Sequence, residues 1–349
     1  MKKIFLSLLL TLTFFAFPVS AATKSTVKAG WKPAVPTDYK QITWASAPGI
    51  VSYFKKPNDN GTLDFLTRIY LPQNQIKFIT SSTAPIDNGQ TDIDTAGTYA
   101  NLSFARLGAE TAKETSDVKF IWDAPFFNMK PVFTDLSLAL KSTVGTTTTV
   151  TSGSRSVPDM NEERHMLIIN NQIGKASIGN FDAASFLNDN MGDQAIEGFA
   201  PTVAKSDNAS AAAARLFLGV SDDGKELIVY CSKQATVDEA SAALAVAGVS
   251  LEHQLEVDGG GSAACGYNLP GQYFVEPTRT LPVLMGAATI MMRGTVPGAS
   301  LNVRSGPSTK YPVVNKLSKG MMVQAFEEKN GWIRIGIGQW VLKTLIKAL

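Results

Sequence analysis

The 349 residues include only two cysteines and two histidines, and that scarcity excludes a good deal. Cys231, Cys265, His165 and His253 never fall into a zinc-ligand spacing, so no zinc site is expected. An excess of one charge is missing too. Removing residues 1–21 takes two lysines and no acid from 32 basic and 30 acidic residues, which leaves the remainder balanced. Such a balance argues against nucleic acid as the main partner. Long apolar runs are confined to one place, Ile4–Phe17, preceded by Lys2 and Lys3 and followed by Pro18-Val19-Ser20-Ala21. That run is shorter than the roughly 20 residues that cross a bilayer, and no stop-transfer pattern follows it. Residues 1–21 are therefore expected to be a cleaved signal peptide, with the mature protein secreted or periplasmic and without a membrane span. Export permits a disulfide but does not require one.

The rest of the chain exceeds one ordinary domain and is expected to divide into a large and a small one. Residues 22–62, rich in Pro, Lys and Thr, form an N-terminal segment with little strand pattern before about Ala47. From Leu63 onward short apolar runs recur at Leu63–Leu71, Gln75–Thr80, Tyr99–Leu107, Lys119–Phe127 and His165–Ile169. Most carry β-branched or aromatic residues and are bounded by Asn, Asp, Gly or Pro, which predicts strands. The threonine-rich stretch Lys141–Ser156 has little to bury and suits an exposed loop or an edge hairpin.

The best-defined unit runs from Ala214 to Gly261. Arg215–Val220 and Glu226–Cys231 flank Ser221-Asp222-Asp223-Gly224, a hairpin signal. Thr236-Val237-Asp238-Glu239 is a capping box, and the helix it opens meets Gly248, a natural stop. Val249–Val257 then resumes as a strand, with His253 as a packing residue inside it. Strand, helix and strand read as a βαβ unit with parallel strands, and the larger domain as mixed α/β, though rich in β structure. The last strand ends in Asp258-Gly259-Gly260-Gly261-Ser262, at the edge where open α/β sheets place ligands. Each glycine weakens an element interior by about 0.5–1 kcal/mol, so the run must serve something else. It allows the backbone to approach a ligand and to offer its N–H groups to an anion. Neither a P-loop nor a dinucleotide fingerprint fits the spacing, and no cofactor is expected. In the parallel arrangement Cys231 and Cys265 arrive at one sheet edge, which predicts a disulfide bracing the glycine turn.

Residues 195–262 resemble the phosphodiester glycosidase family, of the N-acetylglucosamine-1-phosphodiester α-N-acetylglucosaminidase type. Three elements carry the likeness in order: Ala195-Ile196-Glu197-Gly198-Phe199-Ala200-Pro201, Ala214-Arg215-Leu216-Phe217-Leu218-Gly219-Val220, and Val257–Ser262. Asp123-Ala124-Pro125-Phe126-Phe127-Asn128 is similar to the family's Asn-Ala-Gly-Phe-Phe element, with Asp for Asn and Pro for Gly. The resemblance sets the larger domain at 63–285 and implies cleavage of the sugar–phosphate bond of a sugar-1-phosphodiester. On that reading Arg215 meets the phosphate with a two-donor fork, and Gly259, Gly260, Gly261, Ser262 and Asn128 complete its binding. Asp258 serves as nucleophile or base, with Glu197 or Asp123 as its partner. A bland reading stands beside this one, in which Asp258 only caps the glycine turn and Arg215 only snorkels from a strand.

Residues 289–349 read differently. Leu301-Asn302-Val303-Arg304-Ser305-Gly306-Pro307, Gly331-Trp332-Ile333-Arg334-Ile335 and Gln339-Trp340-Val341 are short alternating strands between Gly and Pro turns. The segment resembles the bacterial SH3-like domain, a small all-β barrel, several of which bind cell-wall peptides or proteins through an aromatic-lined groove. Tyr311, Trp332 and Trp340 are the groove candidates. The expected function is hydrolysis of a glycosyl-1-phosphodiester in envelope or extracellular polysaccharide. The alternative is a non-catalytic envelope- or polysaccharide-binding protein on the same fold.

Overall fold

The computed structural model describes residues 31–55, 61–80, 98–100, 102–114, 118–124, 126–127, 133–144, 147–151, 163–187, 192–201, 211–269 and 272–349. The expected signal peptide and Asn128 lie outside these residues. The first strands are β1 (Lys40–Ala47), β2 (Ile50–Lys55), β3 (Asp64–Tyr70), β4 (Asn74–Thr80), β5 (Thr98–Ala100) and β6 (Val118–Asp123). Next come β7 (Phe133–Asp135), β8 (Leu140–Val144), β9 (Thr147–Thr151), β10 (Arg164–Asn170), β11 (Lys175–Asn180) and β12 (Gln194–Phe199). They are followed by β13 (Ala213–Val220), β14 (Glu226–Ala235), β15 (Gln254–Gly259), β16 (Cys265–Tyr267), β17 (Tyr273–Val275) and β18 (Val283–Thr289). The helices are α1 (Phe104–Glu114), α2 (Ala183–Leu187) and α3 (Val237–Val246).

Two sheets carry the larger part. The first runs β1-β2-β3-β14-β13-β15-β12-β10-β11, with the hairpin β8–β9 attached to β12. The second runs β17-β16-β6-β18-β4. They face each other across a core that includes Phe120, Trp122, Leu216, Leu218, Val257 and Met285. The outer face of the first sheet is covered by α3, whose Ala240 and Leu244 pack on Phe217 and Tyr230. The outer face of the second is covered by α1, whose Phe104 and Leu107 meet Ile121 and Leu284.

This overturns the mixed α/β expectation. The architecture is a β-sandwich with three helices among the described residues, and every strand pairing among them is antiparallel. The hairpin and the capped helix occur where the sequence puts them, with Thr236 Oγ1 accepting from Glu239 N–H at 3.1 Å. However, β13 lies between β14 and β15 and is antiparallel to both, so the parallel neighbours of a βαβ unit do not exist. The chain crosses a strand through α3 instead of returning beside its start.

Three local expectations also change. Residues 40–47 are a strand, because Ile42 and Ala45 are buried while their neighbours face outward. Tyr99–Leu107 breaks at Ser103, whose Oγ accepts from Arg106 N–H at 3.3 Å and starts α1. His253 ends a 3-10 turn over Leu251–His253 rather than sitting inside a strand, and its Nδ1 lies 3.4 Å from Asp222. Lys141–Ser156 does supply an edge hairpin, β8–β9.

The C-terminal strands are β19 (Met292–Thr295), β20 (Ser300–Arg304), β21 (Val313–Ser318), β22 (Met322–Ala325), β23 (Glu327–Lys329), β24 (Trp332–Gly336), β25 (Gln339–Leu342) and β26 (Lys347–Ala348). They form two small sheets, β21-β20-β25-β24-β23 and β22-β19-β26, around Val303, Val323, Ile333 and Val341. Because β18 runs to Thr289, the sandwich continues past residue 285 almost to β19. Arg293 binds the two parts together: its guanidinium donates to the carbonyls of Leu71 at 2.7 Å, Asn74 at 3.0 Å, Asn171 at 2.9 Å, and Pro72.

Candidate active site

A β-bulge creates the site. In β15, Leu255 opposes Leu218 and Glu256 opposes Phe217, but Asp258 opposes Leu216, which leaves Val257 as the extra residue. Side chains on a strand alternate, so without the extra residue Asp258 would share the α3 face with Glu256. The bulge resets the alternation and sends Asp258 with Leu216 to the face between the sheets. There the chain leaves the first sheet through Gly259–Ala264 and enters the second as β16. Asp123, at the end of β6, lies along this crossing and donates its N–H to Ala264 O at 2.9 Å.

Asp123 and Asp258 are neighbours at this crossing, close enough for each carboxyl to act on the other, and both are buried. Burial pushes the Asp123 carboxyl well above the ordinary carboxylate range, and the negative charge of Asp258 pushes it further. Arg279 pulls in the opposite direction. Each acid also accepts from a neighbouring N–H, Asp123 Oδ1 from Ala124 at 2.9 Å and Asp258 Oδ1 from Gly259 at 2.6 Å. Two buried carboxyls that act on each other resist ionising together.

The glycines have separate reasons for being there. Gly260 has φ +67°, in the left-handed region that favours glycine. Gly261 allows close approach, since a Cβ there would sit 2.5 Å from Thr278 Oγ1 and 2.6 Å from Arg279 Nη2. The Thr278 N–H donates to Gly261 O at 2.8 Å, so the loop carrying Arg279 is tied to the glycine turn. The Gly259 N–H is taken by Asp258, as in the capping reading. Ser262 is buried at the end of the turn.

Arg215 does reach the glycine turn, as the register partner of Gly259 with its Nη1 3.6 Å from where a Cβ there would sit, but it and Glu197 are engaged in ion pairs of their own. Arg215 shares the α3 side with Phe217 and forms a buried ion pair with Glu256, Nη1 to Oε1 3.0 Å. Its Nε and Nη2 donate to the carbonyls of Ala235 and Ala211. Glu197 is fully buried, bonded to Arg164 Nη1 at 2.6 Å and to Ala139 N–H at 2.9 Å. Both residues hold strands together. Arg279 and Glu256 were not singled out from the sequence. Arg279 sits in the Pro277-Thr278-Arg279-Thr280 loop, where a lone basic residue in a turn carries no motif.

The structure joins Cys231 to Cys265, with Cα atoms 6.5 Å apart. The route differs from the parallel-edge reading: Cys231 lies in β14 of the first sheet and Cys265 in β16 of the second, so the bridge staples the two sheets together. In the C-terminal part Trp332 and Trp340 are buried and belong to the barrel, while Tyr311 is exposed. No helix among the described residues is long and apolar enough to cross a membrane.

Residues 299–347 match the bacterial SH3 domain family, and this segment is such a domain. None of the curated proteins matches the chain. Among solved structures, a hypothetical protein from Synechocystis is 12% identical at a TM-score of 0.38, covering 72% of this chain and 64% of the other. The match therefore spans less than two thirds of that protein. The catalytic domain of zebrafish N-acetylglucosamine-1-phosphodiester α-N-acetylglucosaminidase, auto-inhibited by its pro-peptide, is 11% identical at a TM-score of 0.40. That match covers 70% of this chain and 85% of the zebrafish one. At these values neither likeness speaks to activity.

Proposed function

We propose that the protein is an exported glycosidase that hydrolyses the sugar–phosphate bond of a glycosyl-1-phosphodiester in envelope or extracellular polysaccharide. The SH3 domain would hold it at cell-wall peptide or protein. The observation that carries this reading is the buried pair of acids, Asp123 and Asp258, beside the glycine turn. On this reading Asp123, whose carboxyl burial raises, supplies the proton, and Asp258, which accepts from the Gly259 N–H, acts as the base.

The chemistry follows from those two roles. The bond from C1 to the phosphate oxygen breaks, and its electron pair leaves on that oxygen, which takes the proton of Asp123. Water adds its oxygen to C1 and gives a proton to Asp258. The products are the free sugar and a phosphate monoester, and the proton passes from Asp258 back to Asp123. Phosphate is already a good leaving group, so most of the rate comes from stabilising the cation-like sugar by the carboxylate.

The locking of Arg215 and Glu197 in ion pairs favours a second reading, a non-catalytic envelope- or polysaccharide-binding protein. Release of reducing sugar from aryl glycosyl-phosphodiesters by the purified protein separates the two. Turnover that Asp258→Asn abolishes supports the enzyme, whereas binding without turnover supports the second reading.

A further inference from the structure

We propose that Trp44 is a sugar-stacking platform for a glycan chain whose scissile bond lies at the acid pair; this rests on the glycosidase reading above and extends its substrate from one sugar to an oligosaccharide. A lone exposed tryptophan carries little meaning, since apolar side chains scattered over a surface are ordinary. Trp44 is set apart by how it is held and by what it adjoins.

Trp44 is 61% exposed, between the buried Ile42 and Ala45 of β1. The pairing of β1 with β2 shifts register between Gln41 and Ser46, which breaks strand alternation in this segment. Tyr267 of the second sheet donates its hydroxyl to Ala45 O at 2.8 Å and pins the irregular segment across the sandwich. The indole meets Phe274 edge to face, ring centres 6.0 Å apart, and Phe274 stacks on Phe65 at 4.8 Å. An edge contact fixes the tilt of the indole and leaves a flat apolar face toward water. The ring C–H groups of a pyranose suit such a face, being apolar and slightly positive where the π system is negative. A protein partner would need a far wider patch, about 800 Å² a side.

Register ties this platform to the acids. Asp258 opposes Leu216, Leu216 opposes Cys231, and Cys231 opposes Phe65, so one row crosses three strand spacings. At about 4.8 Å each that is roughly 14 Å, the span of a few linked sugars. The second sheet makes the same connection, because Phe274 lies four residues before Thr278, whose N–H donates to Gly261 O. A glycan with its scissile bond at the acids therefore reaches Trp44 only if it carries several sugars.

The test is calorimetry with soluble oligomers of one to six units of N-acetylglucosamine, glucose, galactose and mannose. The wild-type protein should bind one of these series more tightly as the chain lengthens. Trp44→Ala should weaken binding of the longer oligomers about 10-fold, and Trp44→Phe, which keeps an aromatic face, should fall between. Should Trp44→Ala not fold, Trp44→Phe decides alone, weaker binding supporting the platform and equal binding overturning it. Oligomers that bind Trp44→Ala as tightly as the wild type, or a wild type that binds no series, overturn the proposal. Turnover of a single-sugar aryl glycosyl-phosphodiester by the wild type is read separately: its absence fails the glycosidase reading, while oligomer binding still decides on Trp44.

Discussion

Asp123 ends a strand of one sheet, Asp258 lies next to the end of a strand of the other, and their buried carboxyls are neighbours where the chain passes between the sheets. Neither acid would be in place alone, because the bulge at Val257 supplies one and the pairing of β6 with β16 supplies the other.

This pair should make stability depend on pH. The Asp123 carboxyl is raised above its unfolded value, so over that interval the native protein binds more protons than the unfolded chain. Its favourable contribution is complete below the ordinary carboxylate range and is lost as pH rises through the raised value. Asp123→Asn should flatten this slope and raise the Tm at neutral pH and above. Thermal unfolding across pH checks it, and parallel curves for the two proteins would count against a raised Asp123 carboxyl.

Asp258→Asn and Asp123→Asn should each cost several orders of magnitude in kcat, while Glu197→Gln should mainly cost stability. Glu197 is bonded to Arg164 and Ala139, so its loss is expected to destabilise by about 2–3 kcal/mol. Urea denaturation and kcat of the folded variants separate the roles.

The Arg215–Glu256 pair makes a complementary forecast. Arg215→Met takes from buried Glu256 its ion-pair partner and should cost about 3–5 kcal/mol. Arg215→Met with Glu256→Met should recover much of that loss. A double-mutant cycle showing no coupling would mean that the pair does not hold β13 to β15.

Local features of this fold were legible in the sequence, and features that depend on distant pairing were not. Thr236 and Glu239 announce a helix start because both partners lie within one turn. Ser221–Gly224 announces a hairpin for the same reason. The insertion of β13 between β14 and β15 has no local signal, so strand, helix and strand passed for α/β. Asp258 could be chosen from the glycines that follow it, yet the face it occupies depends on a one-residue bulge that alternation cannot reveal. Arg215 shows the limit most plainly. Its place beside the motif is visible, but its ion pair with Glu256 is set by register across two strands.

Cys231 and Cys265 join the sheets across a sequence separation of 34. Replacing both with serine should destabilise the protein by roughly 3–4 kcal/mol on the chain-entropy account, and reductant should do the same to the wild type. Denaturation midpoints with and without reductant measure it. The detection of two free thiols in the unreduced protein would remove the bridge.

The stereochemical outcome follows from how close the two acids lie. An inverting pair needs about 6.5–9.5 Å between carboxyls, to place a water on the opposite face of the sugar from the leaving group. Asp123 and Asp258 are close neighbours, so on the proposed reading they act together from one side of the sugar. Asp123 protonates the departing phosphate oxygen, and Asp258 delivers water to the face that oxygen has just left. The first sugar released should therefore keep the anomeric configuration of the substrate. Proton NMR of the anomeric signal in the first minutes of reaction, before mutarotation mixes the forms, reads this directly. An inverted first product would mean that a base elsewhere activates the water and that Asp258 is not the base.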